Sequence, residues 1–231
     1  MKIHFLRKTK LSNNIYEYYF KKPSNFKYLS GQYCEFSFDY LNPDKRGLSR
    51  YFTLSSPANS KYLSFATKHS STKVSSTYKL ELQKMTPGRE FRVSEVYGDF
   101  VLPKDQTRDL LFIVAGIGVT PILSILRDLM NRNEKRKIYV LYIVRNTNEE
   151  VDLIKYQKTY RLFDVIYTDQ HNKPINWELI FNFIINNKLQ DPLIYISGPD
   201  QMVNEIDSYL VSNNVASRNI ISDYFDGYDL D

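Results

Sequence analysis

One turn in this chain carries residue types and spacing suited to holding a phosphate-bearing ligand. It reads Ala115-Gly116-Ile117-Gly118-Val119-Thr120-Pro121 and directly follows an apolar run. Gly116 and Gly118 let the backbone turn tightly and approach a pyrophosphate without a Cβ clash. Thr120 suits the cap of a following helix and Pro121 its first position, where no N–H is missed. The free N–H groups of such a helix start form an anion site. Pro121 stands where the third glycine of G-x-G-x-x-G belongs, so the turn departs from the standard dinucleotide fingerprint. A tight strand-to-helix connection with no ligand is the competing reading. Elsewhere, Arg50 interrupts an apolar run, which a plain half-buried strand does not explain.

Other chemistries find little support. Cys34 is the only cysteine, which excludes a disulfide framework, a cysteine-ligated cluster and a Cys-rich zinc site within the chain. His4, His69 and His171 are scattered without ligand spacing, and no nucleophile–base pair stands out. The net charge is +5 and the pI near 9.0. The densest basic stretch, Arg132 to Lys137, reads as a solvated helix end rather than a nucleic-acid face. A mildly basic surface suits anionic dinucleotides or an acidic protein partner. The start lacks an apolar signal core, and the longest apolar stretch, Leu110 to Val119, is half the ~20 residues of a spanning helix. A soluble, cytoplasmic protein is expected.

Two kinds of element must position these residues. From Lys2 to about Pro103 the pattern is short strands between turn signals: 15–20, 31–38, 50–55, 63–68, 90–94 and 100–102, with one helix over 75–85. That pattern predicts an antiparallel sandwich or barrel. The second half alternates strands (109–115, 138–144, 163–168, 192–197) with helices (121–133, 149–160, 177–188, 201–211). Continuous apolar runs such as DLLFIVA mark strands buried on both faces. Alternation of this kind predicts a parallel sheet with right-handed crossovers. The polar segment PKDQTRD supplies the boundary, giving domains over 1–105 and 106–231.

Four motifs in register, with the tail, carry a resemblance over nearly the whole chain. GIGVTP resembles the GxGxTP turn of the ferredoxin–NADP+ reductase family. Arg50-Tyr51-Phe52-Thr53-Leu54-Ser55-Ser56 resembles its flavin motif R-x-aromatic-[ST]-x-x-S, and Ser76-Thr77-Tyr78-Lys79 its S-x-[FY]-K. Ser197-Gly198-Pro199-Asp200-Gln201-Met202 resembles C-G-P-x-x-M, and Phe225-Asp226-Gly227-Tyr228 is similar to a family ending.

The resemblance implies a two-domain fold, an N-terminal antiparallel Greek-key β-barrel binding FAD and a C-terminal parallel-sheet α/β domain binding NADP(H) or NAD(H). It implies that Phe52 stacks on the flavin, that Thr53 reaches the N5 region and that Arg50 pairs with the FAD pyrophosphate, a role suited to a planar guanidinium. Ser75, Ser76 and Thr77 would bind the same pyrophosphate or simply cap their helix, while Tyr51, Thr67 and Lys68 would line the flavin site. Gly116, Gly118, Thr120 and Pro121 would hold the nicotinamide dinucleotide, with Gly198 and Pro199 turning at the carboxyl end of a later strand. Arg145, at a strand end where a basic residue accommodates a 2′-phosphate, leans toward NADP over NAD; a plain surface arginine is the alternative. Ser197 stands where the family commonly has Cys beside the nicotinamide. Phe225 or Tyr228 would cover the flavin face that the nicotinamide must reach.

The implied reaction passes hydride between nicotinamide C4 and flavin N5, so no side-chain general base is needed. Electrons would then pass singly to a separate carrier: a ferredoxin, a flavodoxin or an oxygenase component. Two alternatives are a flavin or ferric-chelate reductase acting on a free acceptor, and a non-catalytic FAD-binding subunit, the latter motivated by Ser197.

Overall fold

The computed structural model describes residues 1–69, 76–145, 147–153, 156, 162–167, 177–189 and 191–224. The backbone divides into two compact units, one of residues 1–102 with 120–132, the other of 103–119 with 133–231.

The first unit is an antiparallel sheet of six strands, β1 (Lys2–Lys10), β2 (Ile15–Lys21), β3 (Tyr33–Ser37), β4 (Ser49–Thr53), β5 (Tyr62–Lys68) and β6 (Glu90–Tyr97), in the order β4-β3-β6-β1-β2-β5. Side chains alternate across each strand: Ile3 and Phe5 point inward while Lys2 and His4 face solvent. The inward set is mostly rings, among them Phe5, Tyr18, Phe20, Phe36, Phe65 and Phe91, and their packing fills the interior. The two edge strands meet where Leu54 bridges Phe65 and the Ser55 N–H donates to the Ser64 carbonyl at 2.8 Å, so the sheet curls into a barrel. Closure removes exposed strand edges at that point. Residues 100–102, expected as a strand, are irregular; Phe100 is buried and its carbonyl packs against Gly31 so closely that a Cβ there would lie 1.9 Å away.

Helix α1 (Thr77–Gln83) is shorter than the expected 75–85. Ser76 caps it by accepting from the Lys79 N–H at 3.3 Å. Tyr78 and Leu82, one turn apart, are its buried residues, and the Tyr78 hydroxyl donates to the Phe36 carbonyl at 3.0 Å.

The second unit is an all-parallel sheet of β7 (Leu110–Ala115), β8 (Ile138–Val144), β9 (Leu162–Tyr167), β10 (Leu193–Gly198) and β11 (Ile220–Tyr224), in the order β11-β10-β7-β8-β9. The chain moves outward from β7 to β9, then starts again on the other side with β10 and β11. The strand order therefore reverses between β7 and β10, and open α/β sheets bind ligands beside the carboxyl ends of such strands. The sequence pattern does not predict the fifth strand, β11. Helix α2 (Val119–Asn131) buries Ile122, Ile125, Leu126 and Leu129, and most of it groups with the barrel. Helices α3 (Trp177–Asn186) and α4 (Asp200–Ser212) belong to the second unit. Of the expected helix over 149–160, residues 149–153 are turn and irregular backbone, and most of the rest lies outside the described residues. Among the described residues no helix is long and apolar enough to cross a membrane.

Candidate functional site

Alternation along β4 puts Arg50 and Phe52 on one face and Tyr51 on the other, where it is exposed beside Tyr33 and Tyr97. The Arg50 guanidinium lies 5.2 Å from the Tyr78 ring centroid. Its Nη1 donates to the carbonyls of Arg46 and Gly47 at 3.0 Å and of Ser49 at 2.6 Å, and its Nη2 pairs with Asp44 at 2.8 Å. The buried Nε has no partner among the described residues.

Asp44 is the anion of this cluster. Besides Arg50 it accepts the Thr77 N–H at 3.1 Å and the Arg46 N–H at 3.0 Å, while its own N–H donates to Thr77 Oγ1 at 2.9 Å. Burial alone would raise its pKa, but the Arg46 N–H, the Arg50 charge and the Thr77 N–H outweigh that and hold it low. Arg50 and Thr77 are thus brought together, as the sequence suggests, through an acidic residue that the motifs do not single out. Ser76 is occupied as the cap of α1, and Ser75 lies outside the described residues.

Phe52 stacks face to face on Phe65, with centroids 4.1 Å apart and planes within 4°, so one ring face is committed to the core. Thr53 and Thr67 are buried, and Thr67 Oγ1 has no partner among the described residues. Lys68 ends β5, half-buried.

In the second unit Gly116–Gly118 form a 3₁₀ turn that runs straight into α2. The helical start is therefore Gly116, and Thr120 does not cap it. Thr120 and Pro121 lie inside the first turn of α2, where a proline still sacrifices no helical hydrogen bond. Gly116 has φ +51°, a backbone state that suits glycine, with open space where a side chain would begin. Gly118 is needed for a different reason, since a Cβ there would lie 2.3 Å from the Ser197 carbonyl oxygen. The turn thus presses directly on the end of β10.

At that end of the sheet two polar groups, Ser197 and Asp223, share a face, and a third, Ser222, lies on the other face by strand alternation. Ser197 stands opposite Asp223 in the parallel register, next to Ser222. The Ser197 and Ser222 hydroxyls and Asp223 Oδ2 are buried and have no hydrogen-bond partner among the described residues. Burial pushes the Asp223 carboxyl up to about 7, against the Tyr224 N–H, which works the other way. Nothing in the sequence singles out Asp223, because its strand carries no apolar run that would announce it. Gly198 and Pro199 lead into α4, whose Met202 is buried in the core. Arg145 is exposed just past β8. Phe225 and Tyr228 lie outside the described residues.

The profile of the oxidoreductase NAD-binding domain matches residues 112–208. The ferredoxin–NADP+ reductase of Plasmodium falciparum, solved with 2′P-AMP, superposes with a TM-score of 0.79 over 97% of this chain and 95% of that one, at 21% identity. The chain has the two-domain fold of that reductase, and its residues 112–208 match the oxidoreductase NAD-binding domain. The flavohem-like FAD/NAD-binding domain of the Vibrio cholerae nitric oxide dioxygenase superposes at a TM-score of 0.76, covering 97% of this chain and 98% of that one at 17% identity. Flavohemoprotein A of Dictyostelium discoideum is 22% identical over 95% of the chain, which spans 58% of that relative's length. The chain thus spans little more than half the length of such curated relatives.

Proposed function

We propose that this protein is an FAD-dependent NAD(P)H oxidoreductase that passes electrons to a one-electron carrier. The observation that carries this reading is the glycine turn at the strand-order reversal, with Gly118 seated against Ser197 and a set of unpartnered polar groups beside it. Gly116 and Gly118 would admit the nucleotide pyrophosphate to the N–H groups that open α2. Ser197, Gly198 and Asp223 would border the nicotinamide, and Asp223, with its raised pKa, would be partly protonated near neutrality and so able to donate a hydrogen bond.

The barrel fits FAD through Arg50 and Thr77 at the pyrophosphate, with Arg50 Nε a donor still to be satisfied. Thr53, Phe52, Thr67 and Lys68 would border the ring system. Bound flavin supplies the two-electron to one-electron conversion. What this chain's residues would contribute is orientation and a polar lining. Phe225 or Tyr228 would cover the ring system, and Arg145 would take the 2′-phosphate of NADPH. A ferredoxin is the carrier named for similar solved structures, and a ferredoxin, flavodoxin or oxygenase component would be the partner here.

The test is anaerobic titration of the purified yellow protein with NADPH and NADH, following the flavin band. Reduction faster with NADPH is expected. Arg145→Ala should weaken NADPH by about tenfold or more, as for a lost charge-assisted contact, and leave NADH nearly unchanged. A protein that takes up no FAD, or holds FAD that neither nucleotide bleaches, would sink the reading.

A further inference from the structure

Two buried polar atoms of the barrel unit lack partners and share a face. Thr67 lies in β5, and the His69 N–H donates to the Asn14 carbonyl at 2.8 Å, so pairing with the β2 side continues past the end of the strand. Alternation then turns Phe65, Thr67 and His69 to the same, inward side, where the Phe65 ring stacks on Phe52. Thr67 and His69 are almost fully buried, yet Thr67 Oγ1 and His69 Nδ1 have no hydrogen-bond partner among the described residues. Helix α1 adjoins the same corner. The Tyr78 ring lies 5.9 Å from that of Phe52 and 5.2 Å from the Arg50 guanidinium, and the charge of Lys79, next in sequence, acts on His69.

What Nδ1 offers is decided at the other nitrogen of the ring. His69 Nε2 and the Tyr18 hydroxyl are 2.8 Å apart, and that hydroxyl has no other hydrogen-bond partner among the described residues. Burial raises the Tyr18 pKa, so the phenol keeps its proton. Burial, with the charges of Lys79 and Lys8, holds His69 at about 4, so the imidazole is neutral near neutral pH and carries one N–H. If Nε2 donated, the buried phenolic proton would be left without an acceptor. Tyr18 is therefore the donor, Nε2 the acceptor, and the imidazole proton sits on Nδ1. A phosphate calls for charged donors, which Arg50 supplies. An uncharged N–H and a hydroxyl among aromatic rings instead match the carbonyl edge of a flat heterocycle. We infer that His69 donates its Nδ1–H to a carbonyl of the flavin's pyrimidine ring, with Tyr18 as the positioning residue that fixes the tautomer. The inference rests on the FAD reading of the barrel.

Two probes divide FAD between its halves: riboflavin has the ring system and no phosphate, and ADP has the pyrophosphate and no flavin. In NMR of the full chain with labelled histidine rings, the His69 Nδ1–H signal should be present without any ligand. It should shift on adding FAD or riboflavin and stay in place with ADP. His69→Gln keeps an acceptor for the Tyr18 hydroxyl but places no group where Nδ1 stands, so the variant is expected to fold, which thermal unfolding checks. Its affinity for FAD and for riboflavin should fall about three- to tenfold, the worth of one hydrogen bond, and that for ADP by less than about twofold. A His69 signal that riboflavin leaves unmoved would overturn the inference, as would equal losses for riboflavin and ADP in His69→Gln. Both outcomes leave FAD binding by the wild-type protein intact. Wild-type protein that takes up neither FAD nor riboflavin would remove the FAD reading, and this inference with it.

Discussion

Arg50 has its Nη1 on three backbone carbonyls and its Nη2 on Asp44, leaving Nε as the donor without a partner. A phosphate arriving here meets a guanidinium already neutralised, with a carboxylate close by. Two substitutions separate the roles. Arg50→Ala should weaken FAD by about tenfold to a hundredfold, as for a lost charged hydrogen bond. Asp44→Asn should strengthen FAD several-fold, because it removes a like charge without freeing much space. Fluorescence quenching of FAD on titration measures both. Weaker binding by Asp44→Asn would mean that Asp44 serves to align Arg50 instead.

Among the elements, α2 depends on a contact that no local pattern announces. Arg127 reaches Glu17 of β2, 110 residues earlier, with Nη2 3.0 Å from Oε2, and Ser124 donates to the Ser56 carbonyl at 2.6 Å. Glu17 is fully buried and also accepts the Ser55 and Tyr19 hydroxyls at 2.6 Å and that of Ser64 at 2.9 Å. Burial alone would raise its pKa, but the bond and charge of Arg127, with the Ser55 and Tyr19 hydroxyls, more than offset this and hold it low. Arg127→Ala strands that carboxylate and should destabilise the barrel unit by about 3–5 kcal/mol in denaturant unfolding. Glu17→Gln with Arg127→Met should recover part of the loss, since neither charge is then left buried.

At the scale of the whole molecule the two units should respond to acid in opposite directions. In the barrel, burial holds His69 down to about 4, assisted by the charges of Lys79 and Lys8. Its folded value lies below the unfolded one near 6.5, so the unfolded chain binds the extra proton. Stability from this group is complete above pH 6.5 and falls by about 1.4 kcal/mol per pH unit from there to 4. Glu17, also held low, adds to the loss at still lower pH. Asp223 in the second unit has the opposite sign: raised from 3.8 to about 7, it disfavours folding at neutral pH and ceases to do so as pH falls. Hydrogen exchange corrected for intrinsic rate should therefore show β2 and β5 losing protection between pH 7 and 5 while β10 and β11 gain it. His69→Gln should flatten the first response alone.

Much of the fold is legible in the sequence because its signals are local. Apolar runs specify β7, β8 and β10, helical spacing specifies α2 and α4, and glycine freedom specifies the turn at Gly116 and Gly118; each needs only a few neighbouring residues. The short strand β11 lacks such a run, its last residues being Ser-Asp-Tyr, and only pairing with β10 makes it a strand. The same pairing brings Asp223 to Ser197, just as the fold of the barrel brings Asp44 to Arg50 and the sheet register brings Tyr142 to Gly116. These partners lie from 6 to 26 residues apart in the chain. Residue types and spacing thus determined where the glycine turn and the Arg50–Ser56 stretch stand. The tertiary structure alone decided which side chains hold them, because a buried polar group takes its partner from whatever the packing places beside it.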